Sequence, residues 1–206
     1  MPCDLVSRLV LEHPFVLASG SPRRRSILSG LSVPFVAEAP GVPEDALAGE
    51  APAEHVVRLA RLKARRSAQA RPTGTVLGAD TVVVLDGAIL GKPAGPSEAG
   101  LMLRSIRGRW HEVYTGLSLV RCSDGAEASG FERTRVLVRA LTDSDIETYV
   151  AGGEPLDKAG AYGIQECGAA VVERVDGCFY NVVGLPVALL IRLLNELGRA
   201  RPADGH

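Results

Sequence analysis

The sequence predicts an α/β protein in which helices flank a mixed β-sheet. Three observations point there. Strand-like runs such as FVLA and TVLGADTVVVL alternate with amphipathic helical stretches. Turn signals at Asp86-Gly87, residues 122–130 and Asp176-Gly177 join successive strands as hairpins. No short-period repeat, low-complexity linker or sharp change of composition divides the chain. Hairpins make antiparallel neighbours and helical crossovers make parallel ones, so a sheet containing both is mixed.

At 206 residues the chain can bury a sizeable core without disulfides or metals as staples. A formal net charge of -1 argues against a general polyanion binder, so phosphate recognition must be local and a small phosphorylated ligand fits better than nucleic acid. Cys3, Cys122, Cys167 and Cys178 form no C-x-x-C pair and read as free thiols of a reducing cytoplasm. The amino-terminal run is interrupted by Arg8, Glu12 and His13 and carries Asp4 where a signal peptide wants positive charge. With no stretch of membrane-spanning length, a cytoplasmic protein without a membrane partner is expected.

Residues 1–13 read as a partly ordered extension, 14–198 as the folded domain and 199–206 as a disordered tail. The domain opens on the buried strand FVLA, a tight turn and a helix with Ser21 as N-cap and Pro22 in the first position, running through Ile27, Leu28 and Leu31. Arg23, Arg24 and Arg25 then occupy its first turn, where the helix dipole disfavours each cation by roughly 0.3–1 kcal/mol. With the hydroxyls of Ser19 and Ser21 and unpaired backbone N–H groups, they describe an anion site suited to phosphate. The plain alternative is an exposed basic turn. Successive helical positions diverge by about 100°, so the three arginines cannot all serve one ligand.

A short strand over 34–37 leads into a loop rich in Pro, Gly and acidic residues, with Glu44 and Asp45. APAEHVVRLARLKARRSAQA follows as the longest helix. Lys63 lies on its Val56/Ala60 side, with its stem over apolar surface and its amine reaching out at the edge, while Arg58, Arg61, Arg65 and Arg66 read as a solvated face. In TVLGADTVVVLDGAILGKP, a three-residue loop of Leu85, Asp86 and Gly87 puts Asp80 opposite Lys92. A two-residue loop instead pairs Lys92 with Thr81 and turns Asp80 to the other face; the first register is favoured. Gly78 and Ala79 leave room for a ligand or ion beside Asp80, and a salt bridge closing the hairpin explains the same residues.

GPSEAGLMLRSIRG reads as a helix burying Ala99, Met102, Leu103 and Ile106, with Gly108 as its stop. RWHEVYTGLSLVRC and GFERTRVLVRAL read as strands, His111 and Thr115 sharing a face. TDSDIETYVAGG is a helix capped by Thr142 or Asp143 and ended by Gly152 and Gly153. EPLDKAGAYGIQECGAA is irregular and compatible with a surface loop. AVVERVDGCFYNVVGLP reads as a hairpin turning at Asp176-Gly177, and LPVALLIRLLNELG as a final helix stopped by Gly198.

The blocks SGSPRRRSIL, GADTVV followed by GKP, LRSIRGRWHEVYTG, DKAGAYGIQ and YNVVGLP, in this order, resemble the Maf family of nucleoside-triphosphate pyrophosphatases over residues 15–197. The resemblance implies an elongated mixed sheet in two lobes with a central cleft, similar to the ITPase fold. It also implies hydrolysis of a nucleoside triphosphate to monophosphate and pyrophosphate, a divalent cation (Mg²⁺ or Mn²⁺) and a homodimer. By position it makes Asp80 the general base and a metal ligand, Lys92 a catalytic phosphate contact, and Glu44 a second metal ligand. Ser19, Ser21, Arg23, Arg24 and Lys63 fall on the substrate side, and Arg23, Thr81 and Gln165 at positions linked with nucleotide choice. DKAGAYGIQ looks like the branch acting on dTTP and UTP. A competing expectation is a nucleotide-binding regulator of cell division with little catalysis.

Overall fold

A computed structural model describes residues 5–10 and 12–200. The order of the main elements is β1 (Phe15–Ala18), α1 (Pro22–Gly30), β2 (Val36–Glu38), α2 (Pro52–Ala68), β3 (Thr75–Leu85), β4 (Ala88–Leu90), α3 (Pro96–Ile106), β5 (Trp110–Arg121), β6 (Glu127–Val138), α4 (Asp143–Ala151), β7 (Val172–Asp176), α5 (Phe179–Val183) and α6 (Val187–Arg199). Among these residues the strands form a seven-stranded mixed sheet in the order β2-β1-β3-β5-β6-β7, with β4 on β3. β1 pairs in parallel with β2 and with β3, whereas β3–β4 and β6–β7 are antiparallel.

The chain divides into two compact units, and β3 passes from one to the other between Asp80 and Thr81. Among the described residues the first unit holds 5–10, 12–80, 115–131 and 184–200. Its core packs Phe15, Leu17 and Leu77 against Leu28 of α1 and Leu190, Leu193, Leu194 and Leu197 of α6. The apolar stripe of α6 recurs at helical spacing, so burying that face drives the helix onto the sheet. On the other face of β1 and β3, Val16, Ala18 and Val76 meet Ala64 of α2. The second unit holds 81–114 and 132–183, with Val83, Leu103, Ile106, Val113, Val136, Val138, Ile146 and Tyr162 in its core.

Ser21 caps α1, and Thr142 with Asp145 forms a capping box on α4. The β3–β4 hairpin departs from the favoured register. Leu85 pairs with Ala88 and Val83 with Leu90, which leaves a two-residue loop whose Asp86 and Gly87 have φ of 49° and 81°. Two consecutive left-handed residues make the turn whose twist matches paired strands, so the two-residue loop wins and Asp80 is not opposite Lys92.

The hairpin expected at Asp176-Gly177 is also absent, because β7 is followed by the short helix α5 rather than by a strand. Tertiary bonds override the β-branched run here. Asn181 is fully buried and its amide donates to the Val113 carbonyl (2.9 Å) and Thr134 Oγ1 (3.0 Å), while the Cys178 N–H donates to the same hydroxyl (3.1 Å). Gly198 does not stop α6, which runs to Arg199; the Leu197 carbonyl accepts from the buried Arg121 guanidinium at 2.9 Å, so the last turn is satisfied by a side chain. The strand expected over 34–37 lies at Val36–Glu38.

The expectations for the two termini fall partly on residues 1–4, 11 and 201–206, which lie outside the described residues. Within the first segment, Ser7–Leu9 form a 3-10 turn with Val6 and Val10 buried beside it. No helix among the described residues is long and apolar enough to cross a membrane.

Candidate functional site

The turn after β1 is built around one buried guanidinium. Ser19 is buried, and its Oγ accepts from the Ser21 N–H (3.2 Å) and from Arg24 Nη1 (2.9 Å). Arg24 is only 8% exposed, and it donates through Nε to the Gly184 carbonyl (2.8 Å) and through Nη1 to the Ala79 carbonyl (3.0 Å). Burial pulls its pKa below the ordinary arginine value, an effect the nearby Asp80 charge opposes. Arg25 is exposed and bonds the Gly20 carbonyl (3.1 Å), and Arg23, which precedes both, is half-buried. The three arginines of this turn therefore have three different environments.

The second cluster joins β3 to α2. Gly78 lets the helix approach, since a Cβ there would stand 2.1 Å from the Ala60 carbonyl oxygen and 2.7 Å from the Ala64 nitrogen. Asp80, two residues on, shares that strand face and meets Lys63, whose Nζ is 2.7 Å from Asp80 Oδ1 and 2.6 Å from Glu44 Oε1. Both members of the first pair are buried, at 8% for Lys63 and 7% for Asp80, whereas Glu44 is exposed. The Lys63 amine thus turns inward onto two carboxylates instead of reaching out at the edge. Asp80 takes its partner from α2 rather than from Lys92.

The acidic loop carrying Glu44 is clipped onto the same helix. Glu50 accepts from Arg58 Nε (2.5 Å) and Nη2 (2.8 Å) and lies 3.0 Å from His55 Nδ1, and Arg58 Nη2 also bonds the Asp45 carbonyl (3.0 Å). The Arg58 guanidinium, with His55 and the Leu47 N–H, holds the Glu50 carboxyl down to about 2. Arg61 and Arg65 share Glu127, at 3.1 and 2.7 Å. Three of the four arginines expected to be a solvated face are therefore ion-paired. Glu50 was not among the residues singled out from sequence; the available signal was an acid just ahead of the Pro52 helix start, five and eight residues before His55 and Arg58.

Thr81, Lys92 and Gln165 belong to the second unit. Thr81 is half-buried in β3, Lys92 is exposed after β4, and Gln165 is exposed between the 3-10 turns Ala159–Ala161 and Glu166–Ala170. That irregular segment is not a plain surface loop. Gly160, Ala161 and Tyr162 are buried, the Tyr149 hydroxyl bonds Glu154 (3.0 Å) and accepts from the Gly163 N–H (3.1 Å), and the Tyr162 hydroxyl lies 2.7 Å from His111 Nε2. Burial lowers the His111 pKa to about 4 and raises that of Tyr162.

Among the described residues no group of three or more His, Cys, Asp or Glu is gathered for a metal. Glu44 and Asp80 nevertheless supply two hard oxygen donors drawn to a single ammonium. One or two carboxylates completed by substrate phosphates is the donor set Mg²⁺ favours, so these residues fit a divalent cation.

Residues 14–197 match the family model described as Maf-like protein. Relatives named dTTP/UTP pyrophosphatase include one from Salinibacter ruber, 50% identical over 90% of this chain and 92% of its own length. Another, from Gloeobacter violaceus, is 48% identical over 89% and 96%. A third, from Deinococcus radiodurans, is 45% identical over 96% and 97%.

Proposed function

The chain belongs to the Maf-like protein family, and from that premise we propose that it is a nucleoside-triphosphate pyrophosphatase that cleaves dTTP and UTP to the monophosphate and pyrophosphate. The observation that carries this reading is near-full-length identity to relatives of that name, 45–50% over at least 89% of the chain. The geometry of the first unit supports it with a buried carboxylate held by a lysine and a serine-rich turn at a helix start.

A triphosphate repels an attacking water with its own charge, so the chain must supply positive charge and a proton acceptor. Asp80 takes the proton of the attacking water. Lys63, 2.7 Å away, fixes the orientation of that carboxylate and balances its charge in a buried setting. Arg23 and the start of α1 hold phosphate oxygens, together with Ser19 and Ser21, and Lys92 provides a further cation to the leaving pyrophosphate. Thr81 and Gln165 contact the nucleoside and set base choice. Glu44 and Asp80 would hold Mg²⁺ or Mn²⁺, which when bound supplies charge neutralisation on the phosphates and acidifies the water.

The test is Asp80→Asn, which keeps shape and hydrogen bonding but removes the proton acceptor. The expected result is UTP and dTTP binding within about threefold of the unsubstituted protein and turnover reduced by about 10²-fold or more. Substantial residual hydrolysis would remove Asp80 from the role of base.

A further inference from the structure

We propose that Arg24 is a positioning residue for Asp80 and Ser19 rather than a ligand of the substrate phosphates. The proposal rests on the pyrophosphatase reading above and changes the role of one residue within it. Arg24 sits in a turn of three arginines, yet it is the most buried of them. Its Nε and Nη1 groups are committed to the chain itself, one to the Gly184 carbonyl and the other to both Ser19 Oγ and the Ala79 carbonyl, at 2.8, 2.9 and 3.0 Å.

Those three acceptors come from three separate stretches of chain: the turn after β1, the residue before Asp80 in β3, and the residue before the start of α6 by three positions. A planar guanidinium fixes its donors in one plane, so acceptors held at these distances are fixed relative to one another. The Ala79 carbonyl belongs to the peptide that precedes Asp80. Holding that carbonyl orients the next residue's backbone, from which the Asp80 carboxylate projects towards Lys63. At the same time Ser19 Oγ is held by Arg24 Nη1 and by the Ser21 N–H, which closes the turn on which α1 begins.

The energetics favour this reading over a phosphate contact. A buried guanidinium must keep its donors satisfied, because a buried charged donor stripped of its acceptor bears the full cost of its desolvation. Turning Nε and Nη1 towards a phosphate would strip three protein acceptors at once. Arg23, one helical position away, is less buried, so presenting it to a ligand costs less desolvation. Small displacements of a catalytic group have large kinetic effects, on the order of a hundredfold for a misplacement of about 1 Å. Loss of the fork should therefore be read in turnover rather than in affinity.

The experiment compares Arg24→Lys, Arg24→Gln and Arg23→Gln with the unsubstituted protein, using UTP turnover and binding of the non-hydrolysable analogue α,β-imido-dUTP. Arg24→Lys is the deciding variant because it keeps length and charge and loses only the fork. The expected result is kcat lower by about tenfold or more in both Arg24 variants, with KM and analogue affinity changed by a smaller factor that reflects only the loosened Ser19 hydroxyl, and the opposite split in Arg23→Gln. A folded Arg24→Lys that keeps kcat, or an Arg24 variant that loses analogue affinity as Arg23→Gln does, overturns the proposal. Should neither Arg24 variant fold, side-chain ¹⁵N NMR of the unsubstituted protein decides. An Arg24 Nε–H resonance that stays in place on saturation with the analogue supports positioning, and one that shifts as far as that of Arg23 overturns it. Failure of the unsubstituted protein to hydrolyse UTP would instead strike the pyrophosphatase reading itself, a result the variant comparison does not produce.

Discussion

Lys63 and Asp80 are both nearly excluded from water and depend on each other there. Removing one partner of a buried pair leaves an uncompensated charge, which costs about 3–5 kcal/mol. Lys63→Met should therefore lower the unfolding free energy by about 3 kcal/mol or more in urea titration, and Lys63→Met combined with Asp80→Asn should recover part of that loss. Additive losses would show that the two side chains do not interact. The helical position of Lys63 beside Val56 and Ala60 was legible from period alone, but its partner was not. Choosing between Lys63 and Lys92 depends on hairpin register, and Leu85-Asp86-Gly87 is compatible with two loop lengths that differ by one residue. The partners of Arg24 were hidden for a related reason: local sequence places it on a helix turn but carries no information that the Gly184 carbonyl, distant in sequence, accepts from its Nε.

Among the elements, α2 and β3 make the contact on which the site depends, and Gly78 permits it. Gly78→Ala forces a methyl group into the Ala60 and Ala64 backbone, with no flexible side chain to yield. Overpacking of this kind costs typically 1–3 kcal/mol and more where backbone must move, so a stability loss of at least about 2 kcal/mol is expected. The readout is urea unfolding, and turnover should fall with it because Lys63 is displaced from Asp80. A neutral substitution would show that the helix can retreat at no cost. The Glu50–Arg58 clip gives a separable prediction. Arg58→Ala frees the Asp45 carbonyl and the loop carrying Glu44, so the Mg²⁺ concentration needed for half-maximal turnover should rise several-fold, and stability near pH 7 should fall with it because Glu50 loses the guanidinium that holds it ionised. The starts of the helices at Pro22, Pro52 and Asp143 were readable because their signals are local: the Ser21 and Thr142 caps, and a proline in the first helical position at Pro22 and Pro52. The FYNVV segment was not, because Asn181, Thr134 and Val113 bend it into a helix through bonds that no local propensity encodes.

For the molecule as a whole, acid sensitivity follows from two groups. His111 is 2% exposed with its pKa lowered to about 4, and among the described residues its Nδ1 has no hydrogen-bond partner for an added proton. The unfolded chain takes up that proton near the ordinary value of about 6.5 and the folded one does not. Stability is therefore fully present above about 6.5 and lost as pH falls towards 4, by about 3 kcal/mol in all. Glu50, held down to about 2, adds a loss that begins only below its ordinary value of 4.5. Unfolding free energy measured from pH 7.5 to 3 should fall in that order, and His111→Asn should flatten the part between 6.5 and 4.5. An unchanged slope in that variant would assign the acid loss elsewhere. The mixed α/β class was legible at this scale because it needs only the alternation of periods and two true hairpin signals, whereas the division of β3 between two compact units at Asp80 is set by contacts distant in sequence.

The most direct test of the central claim is the identity of the products formed from UTP with Mg²⁺ by the purified protein, resolved by ³¹P NMR. Cleavage between the α and β phosphates predicts UMP and pyrophosphate in equal amounts, with orthophosphate absent from the early time course. UDP with orthophosphate, or no product from UTP or dTTP at protein concentrations that bind them, would contradict it.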